Sequence, residues 1–263
     1  MRIMFVVPFP LEASDLERRA AQVPQRLLDP ADQVVFVPVK NAGAWGDSAH
    51  DALLADFFVY EQGMRAENDG FDAVCIDSVS DSALAPLRSR LAIPVIGPGQ
   101  ASYHLACVLG RRFSIVTMWE KWVPLYEKVL CQEGLESRCA SIRFPNLVPD
   151  VALLLADKQE EAFPALLDCA KKCVDDDGAD VIVLGSTTMH EAHDYLRTNL
   201  DVPVISPGQV AFEFARLAVR LGLSHSRRAY PSPQVVKDEV FTVAANSVDA
   251  RVSRPAGTGD CIR

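Results

Sequence analysis

The chain contains no run of 18 apolar residues, so no segment is long enough to cross a bilayer as a helix. It has no CxxC pair, no GxxxxGK[ST] and no GxGxxG, which removes the usual zinc, phosphate-loop and dinucleotide fingerprints. Positive charge is in deficit. There are 26 Lys plus Arg against 35 Asp plus Glu, a formal net charge of −9. That balance argues against general binding to nucleic acid or to an anionic membrane, but not against a small anion held in a locally positive site. Cysteine is present in an odd number, at 75, 107, 131, 139, 169, 173 and 261. Five of the seven lie in apolar-periodic segments and read as buried free thiols, not as a disulfide framework or metal site. The start, MRIMFVVPFP, has a short apolar run without a small-residue cleavage site. It reads as a first buried strand and not as a signal peptide, and the expected compartment is the cytoplasm.

What is present is 263 residues, 49% of them hydrophobic, which is enough for one large domain or two small ones. Short β-branched runs alternate with helical patterns. The expected strands are 3–7, 34–39, 73–77, 94–97, 113–117, 139–144, 181–185 and 202–205. The expected helices are 14–28, 51–67, 82–90, 100–109, 123–133, 160–176, 189–199 and 209–221. Near-continuous apolar runs such as Val181-Ile182-Val183-Leu184 predict strands buried on both faces, hence parallel sheets covered by helices, an α/β fold. A further short strand is expected around 235–243, followed by a flexible tail.

The chain also repeats itself. GFDAVCIDSVSDSALAPLRSRLAIPVIGPGQ (70–100) aligns with GADVIVLGSTTMHEAHDYLRTNLDVPVISPGQ (178–209). Asp72 matches Asp180 and Ser78 matches Ser186 at an offset of 108. Pro94 matches Pro203 and Gln100 matches Gln209 at 109. Two like units suggest a pseudo-twofold pair: residues 1–98 plus 206–245 as one domain, 99–205 as the other, and 246–263 as a tail. Ligands of open parallel sheets sit beyond the carboxyl ends of the strands, where both hydroxyl-rich turns fall. If the units face each other, Ser78 and Ser186 approach one cleft from opposite sides.

Each turn carries candidate groups. Ser186-Thr187-Thr188 precedes a helix and offers backbone N–H groups at the positive end of its dipole. Ser78-Val79-Ser80 offers the same on the other side, and together they suit a carboxylate or a developing enolate. Asp77 adjoins Ser78; buried among apolar residues, a carboxylate takes up a proton more readily and suits a general base, though a cap or structural acceptor fits equally. Asp81 can cap the following helix. His190 stands at i+4 from Ser186, within possible hydrogen-bond reach, and is the best candidate to activate it. His193 lies about 300° further round at ~100° per residue, and His104 sits in an apolar context. GPGQ (97–100) and SPGQ (206–209) read as tight turns, and Asp175-Asp176-Asp177 as a solvated helix end.

The blocks AVCIDSVSDSAL (73–84), IPVIGPG (93–99), RFSIVT (112–117), DVIVLGSTTM (180–189) and VPVI (202–205) resemble the aspartate/glutamate/hydantoin racemase superfamily, above all its hydantoin-racemase branch. The likeness implies two pseudo-symmetric α/β domains with the site between them, no cofactor or metal, and homo-oligomers. It implies one cysteine per half, one removing the α-proton and the other protonating the opposite face. Those two positions here are Ser78 and Ser186. The relatives' Asn-Pro-Asn-Thr stretch is replaced by Val7-Pro8-Phe9-Pro10, an apolar substitution. Thr117 matches a threonine bordering the site, and Trp119 and Trp122 could cap the cleft or stabilise the domain contact.

A thiol with pKa near 8.5 yields a thiolate after a modest shift; a serine hydroxyl needs a neighbouring base. Because Asp77, Ser80, Asp81, Thr187, Thr188 and His190 also depart from the usual hydantoin-racemase turns, a natural serine branch fits better than a trapping mutant. The expectation is a cofactor-independent racemase or epimerase acting on a small carboxylate or hydantoin-like cyclic amide. Ser78, Ser186, Asp77 and His190 would act at the reacting carbon, and Val79, Ser80, Thr117, Thr187 and Thr188 would bind substrate. Decarboxylation, as in the related arylmalonate decarboxylases, C–N hydrolysis, and a non-catalytic binding protein remain open.

Overall fold

The computed structural model describes residues 1–43, 45–147 and 159–248. Strands β1 (Arg2–Val7), β2 (Gln33–Pro38), β3 (Ala73–Ile76) and β4 (Val95–Ile96) form a sheet in the order β2-β1-β3-β4. Strands β5 (Phe113–Val116), β6 (Cys139–Arg143), β7 (Val181–Leu184) and β8 (Val204–Ile205) repeat it as β6-β5-β7-β8. Every pairing is parallel, as follows when a helix intervenes between successive strands. The helices are α1 (Ala13–Ala20), α2 (Ala49–Gly63), α3 (Leu84–Arg90), α4 (Pro98–Leu109), α5 (Val123–Glu133), α6 (Gln159–Asp175), α7 (His190–Asn199), α8 (Pro207–Arg220) and α9 (Asp238–Asn246).

In each sheet the chain moves outward from β1 (or β5) and then returns to its other side. The switch in direction lies between β1 and β3, and between β5 and β7, where open α/β sheets place their ligands. Alternation along β1 sends Ile3 and Phe5 into one core and Met4 and Val6 into another, all four buried. The first of these cores runs unbroken into the second sheet through Phe113, Ile115 and Val183. Helix α4 packs on β5 and β7 and against α8, which returns onto β3 and β4. The duplication extends to single bonds. Asp72 accepts the N–H of Arg2 (2.6 Å), and Asp180 accepts those of Arg111 and Arg112 (2.8 and 3.0 Å).

Three expectations change. The helix expected over 14–28 stops at Ala20, and a 3-10 turn, Gln25–Leu27, follows Pro24, whose ring cannot supply a helical N–H. The segment expected as a strand near 235–243 contains α9 instead. Its acidic first turn, Asp238 and Glu239, suits a helix N-terminus. Phe241 packs on Phe57 and Tyr60 (centroids 5.7 and 4.6 Å), while Val240 and Val243 are exposed. The described cysteines are free, but only Cys75 and Cys173 are fully buried and Cys131 is exposed. Residues 249–263, with Cys261 and most of the expected tail, lie outside the described residues.

The chain after α8 seals the edge of the first sheet. The N–H of Val95 on β4 donates to His225 Nε2 (2.7 Å), and the Arg227 guanidinium caps the C-terminal carbonyls of α3 at Arg88 and Ser89 (3.0 Å each). Burial, aided by the nearby Arg88 charge, pushes the His225 imidazole down to about 4 from an ordinary 6.5. The folded protein thus binds this proton less readily than the unfolded chain. The stability it contributes is present above pH 6.5 and is lost as pH falls through 4. We expect His225→Gln, whose amide oxygen can still accept from Val95, to flatten this part of the pH profile. Denaturant titrations of both proteins across that window check this; parallel profiles would remove His225 from the linkage.

Candidate active site

The carboxyl ends of β1, β3 and β7 and the helices behind them enclose one cleft, open in part to solvent. Ser78, at the end of β3, and Ser186, at the end of β7, both line it. Ser78 Oγ is hydrogen-bonded to Ser80 Oγ (2.7 Å), which continues to Ser82 Oγ (3.0 Å). Ser186 Oγ is bonded to Thr188 Oγ1 (2.6 Å). Each jaw therefore presents a short row of hydroxyls. Val79, Ser80, Ser82 and Thr188 also stand on the wall. Two N–H groups of the turns are spent locally: Thr188 donates to Ser186 Oγ (3.2 Å), and Ser80 donates weakly to Ser78 Oγ (3.4 Å). Those of Val79 and Thr187, directly after each serine, have no hydrogen bond among the described residues.

The first turn is built under strain. Asp81 and Ala83 adopt left-handed φ of 52° and 57° without being glycine. Asp56 Oδ1 accepts the N–H of Ala83 (2.8 Å), and Asp81 is held by the N-terminus of α4. The buried Asp81 carboxylate accepts the N–H groups of Gly99 (2.8 Å) and Gln100 (2.7 Å). It thus caps α4, not the helix that follows it. Burial outweighs these donors and pushes the Asp81 carboxyl up to about 7. Gly99 is required because a Cβ there would collide with the Val79 carbonyl. In the second half Gly208 makes the same room for the Gln22 side chain. The first PGQ turn is therefore a seat for the Ser78 turn, whereas the second packs on Gln22.

Asp77 differs from expectation. It is fully buried, but its neighbours are ionic and polar, not apolar. Arg19 Nε donates to its Oδ2 (2.5 Å) and Gln22 Nε2 to its Oδ1 (3.1 Å). Its main-chain carbonyl accepts Arg19 Nη2 (3.1 Å) and Thr187 Oγ1 (3.3 Å). A carboxylate held by a guanidinium is a structural anchor, which displaces the general-base role. His190 also departs from expectation. Its Nδ1 faces the Thr187 carbonyl (3.2 Å) and not Ser186, it does not line the cleft, and burial pushes its imidazole down. The helical i, i+4 spacing fails because Thr187–Met189 winds as a tighter 3-10 turn.

Two expected binding residues lie behind the wall. Thr117 is fully buried and donates to Tyr126 Oη (2.6 Å), which in turn donates to the Gly185 carbonyl (2.8 Å). Thr187 is buried in the contact with Asp77 and Arg19. His193 bonds the Val204 carbonyl (3.1 Å). His104 is exposed and pairs with Glu133 (3.0 Å), not the apolar setting its helix suggested.

The sequence did not single out Arg19, Trp45, Asp51 or Lys128, all of which line the cleft. Three tryptophans meet at its mouth. Trp45 and Trp119 rings lie 5.9 Å apart, Trp119 and Trp122 6.2 Å, and Trp122 Nε1 donates to the Trp45 carbonyl (2.9 Å). Lys121 pairs with Asp47 (3.1 Å) beside them. The loop between β2 and α2 is thereby strapped to the second half, and Trp122 is both cleft wall and inter-half contact. Pro8 and Phe9 line the cleft where the apolar departure from the relatives was noted. For Asp51, burial alone would raise the carboxyl, but the N–H groups of Trp45 and Gly46 and the nearby His50 hold it below its ordinary value.

Removing one member of a buried ion pair leaves an uncompensated charge. Arg19→Met is therefore expected to cost about 3–5 kcal/mol of unfolding free energy, with Arg19→Met/Asp77→Asn recovering at least about half of that. Urea denaturation of the three proteins checks this. A double variant no more stable than the single one would show that Asp77 is not the stranded charge.

The geometry agrees with known proteins. The model of the family Asp/Glu/Hydantoin racemase matches residues 15–215. A hydantoin racemase of Paenarthrobacter aurescens is 29% identical over 235 residues, 89% of this chain and 98% of the relative. The allantoin racemase of Klebsiella pneumoniae superposes with a TM-score of 0.82 at 26% identity, covering 90% of this chain and 95% of that one. The allantoin racemase of Pseudomonas fluorescens superposes at 0.81 with 30% identity, covering 90% and 99%. With its two parallel sheets and the strand-end cleft, the chain belongs to the Asp/Glu/hydantoin racemase family, a family of isomerases.

Proposed function

We propose that the cleft inverts the α-carbon of a small carboxylate or hydantoin-like cyclic amide through an enolate-like intermediate, with Ser78 and Ser186 on its opposite faces. One observation carries this: equivalent residues of the two repeats line one cavity. The N–H groups of Val79 and Thr187, at the same place in each turn, suit the oxygen on which charge develops. No cofactor is needed in this reading, because the steps are proton transfers.

The serines set the pace. Neither hydroxyl has a carboxylate or imidazole partner among the described residues; their partners are Ser80 and Thr188. The acceptor of the α-proton is therefore one serine as its alkoxide, formed by loss of the hydroxyl proton to solvent, while the other hydroxyl delivers a proton to the opposite face and is left as the alkoxide. Turnover therefore depends on substrates with an acidic α-C–H, and thiols at these positions should be faster, since a thiolate is accessible near neutral pH.

The test follows α-hydrogen exchange, optical rotation and mass in deuterated water. Exchange with loss of optical rotation and no mass change beyond isotope uptake is expected. Ser186→Ala should lower turnover at least about tenfold, and Ser78→Cys/Ser186→Cys should raise it. Unchanged turnover in Ser186→Ala would remove that residue from the mechanism. Loss of CO₂ or gain of water would replace isomerisation by lyase or hydrolase chemistry.

A further inference from the structure

The charges of the cleft are not equally committed. Arg19 is spent on Asp77 and on Thr187 (3.3 Å). Asp51 accepts the N–H groups of Trp45 (3.1 Å) and Gly46 (3.0 Å). Lys128, on α5 of the second half, also lines the cleft and is half-buried, yet it makes no hydrogen bond or ion pair among the described residues. It shares the cleft lining with Ser78, Ser80 and Ser82 of the first half's turn. Phe9, Trp45, Trp122 and Leu125 supply an apolar wall of the same cleft. A cation partly withdrawn from water, beside a row of hydroxyls and an apolar wall, is satisfied by an anion carrying an apolar group.

We infer that Lys128 is the carboxylate-reading residue of this cleft, and that its ligand is a small carboxylate with an apolar substituent, not a neutral cyclic amide. The inference rests on the cleft being the substrate site of the racemase reading and narrows that reading to one substrate class. Lys128 binds and orients; it takes no proton from the reacting carbon. The carboxylate reaches across from α5 toward the Ser78 turn, and the substituent lies against the two tryptophans and Phe9.

A chemically matched pair tests this. N-carbamoylphenylalanine and 5-benzylhydantoin share a side chain and differ by ring opening, which supplies the carboxylate. Calorimetric titration at pH 7 of the full chain, Lys128→Met and Lys128→Arg should show the parent binding the acid more tightly than the hydantoin. Lys128→Met should weaken the acid at least about tenfold, close to 1.4 kcal/mol, and leave the hydantoin within about twofold. Lys128→Arg should restore most of the acid's affinity. The unchanged hydantoin value also shows that the variant is folded, and unchanged thermal unfolding does so independently.

An acid affinity indifferent to Lys128→Met, a hydantoin that binds the parent as tightly as the acid, or no binding of the acid overturns the inference. Exchange in deuterated water on the same samples separates the two readings. Binding that depends on Lys128 without exchange defeats the racemase reading alone. Exchange on the hydantoin that is indifferent to Lys128 defeats this one alone.

Discussion

The way the residue just after β3 is held governs the cleft. Asp77 is buried, and its carboxylate takes Arg19 and Gln22 while its carbonyl takes Arg19 and Thr187. Ser78 is the next residue in one direction along the chain, and Thr187 is the residue after Ser186. One ion pair therefore anchors both turns and ties the halves together. The second half meets the equivalent need without charge: Tyr126 donates to the carbonyl of Gly185, the counterpart of Asp77. In both halves a side chain from the first helix after the central strand pins the strand end. An ion pair of this kind is a costly way to gain stability but an effective way to impose one arrangement, since breaking it strands a charge in the interior.

On the reading proposed here, Ser78 and Ser186 stand where the resemblance implies thiols, and oxygen in place of sulfur gives a smaller group and removes the easily formed anion. The surrounding residues make the difference consistent. Each hydroxyl belongs to a row of hydroxyls, and the first turn is locked by Asp81 on the N-terminus of α4. In the function we propose, such a site would stabilise a developing oxyanion by preorganised donors more than it would drive proton removal by a strong base.

Much of this was readable before any coordinates. The strand–helix alternation, the two sheets and the placement of Ser78 and Ser186 at matching strand ends follow from apolar runs and from the offset of 108 between repeats. Other features were not, for physical reasons. Arg19 stands in a short polar helix like any solvated arginine; only the fold brings it 58 positions along the chain to Asp77. Trp45 and Lys128 lie outside the repeated blocks, and no local pattern announces a loop that reaches the other half. His190 was misplaced because an α-helical spacing was applied across a 3-10 turn. The last helix is not legible because its stretch is rich in valine, which favours strands; Val240 and Val243 are exposed on it, whereas Phe241 and Ala245 carry its packing.

The claim on which the rest stands is that one ligand is shared by the two jaws. A crystal structure of the parent protein soaked with a small apolar-substituted carboxylate tests it most directly. The account places the Oγ atoms of Ser78 and Ser186 against opposite faces of the same α-carbon. A ligand that touches one serine alone, or that settles outside the cleft, would contradict it.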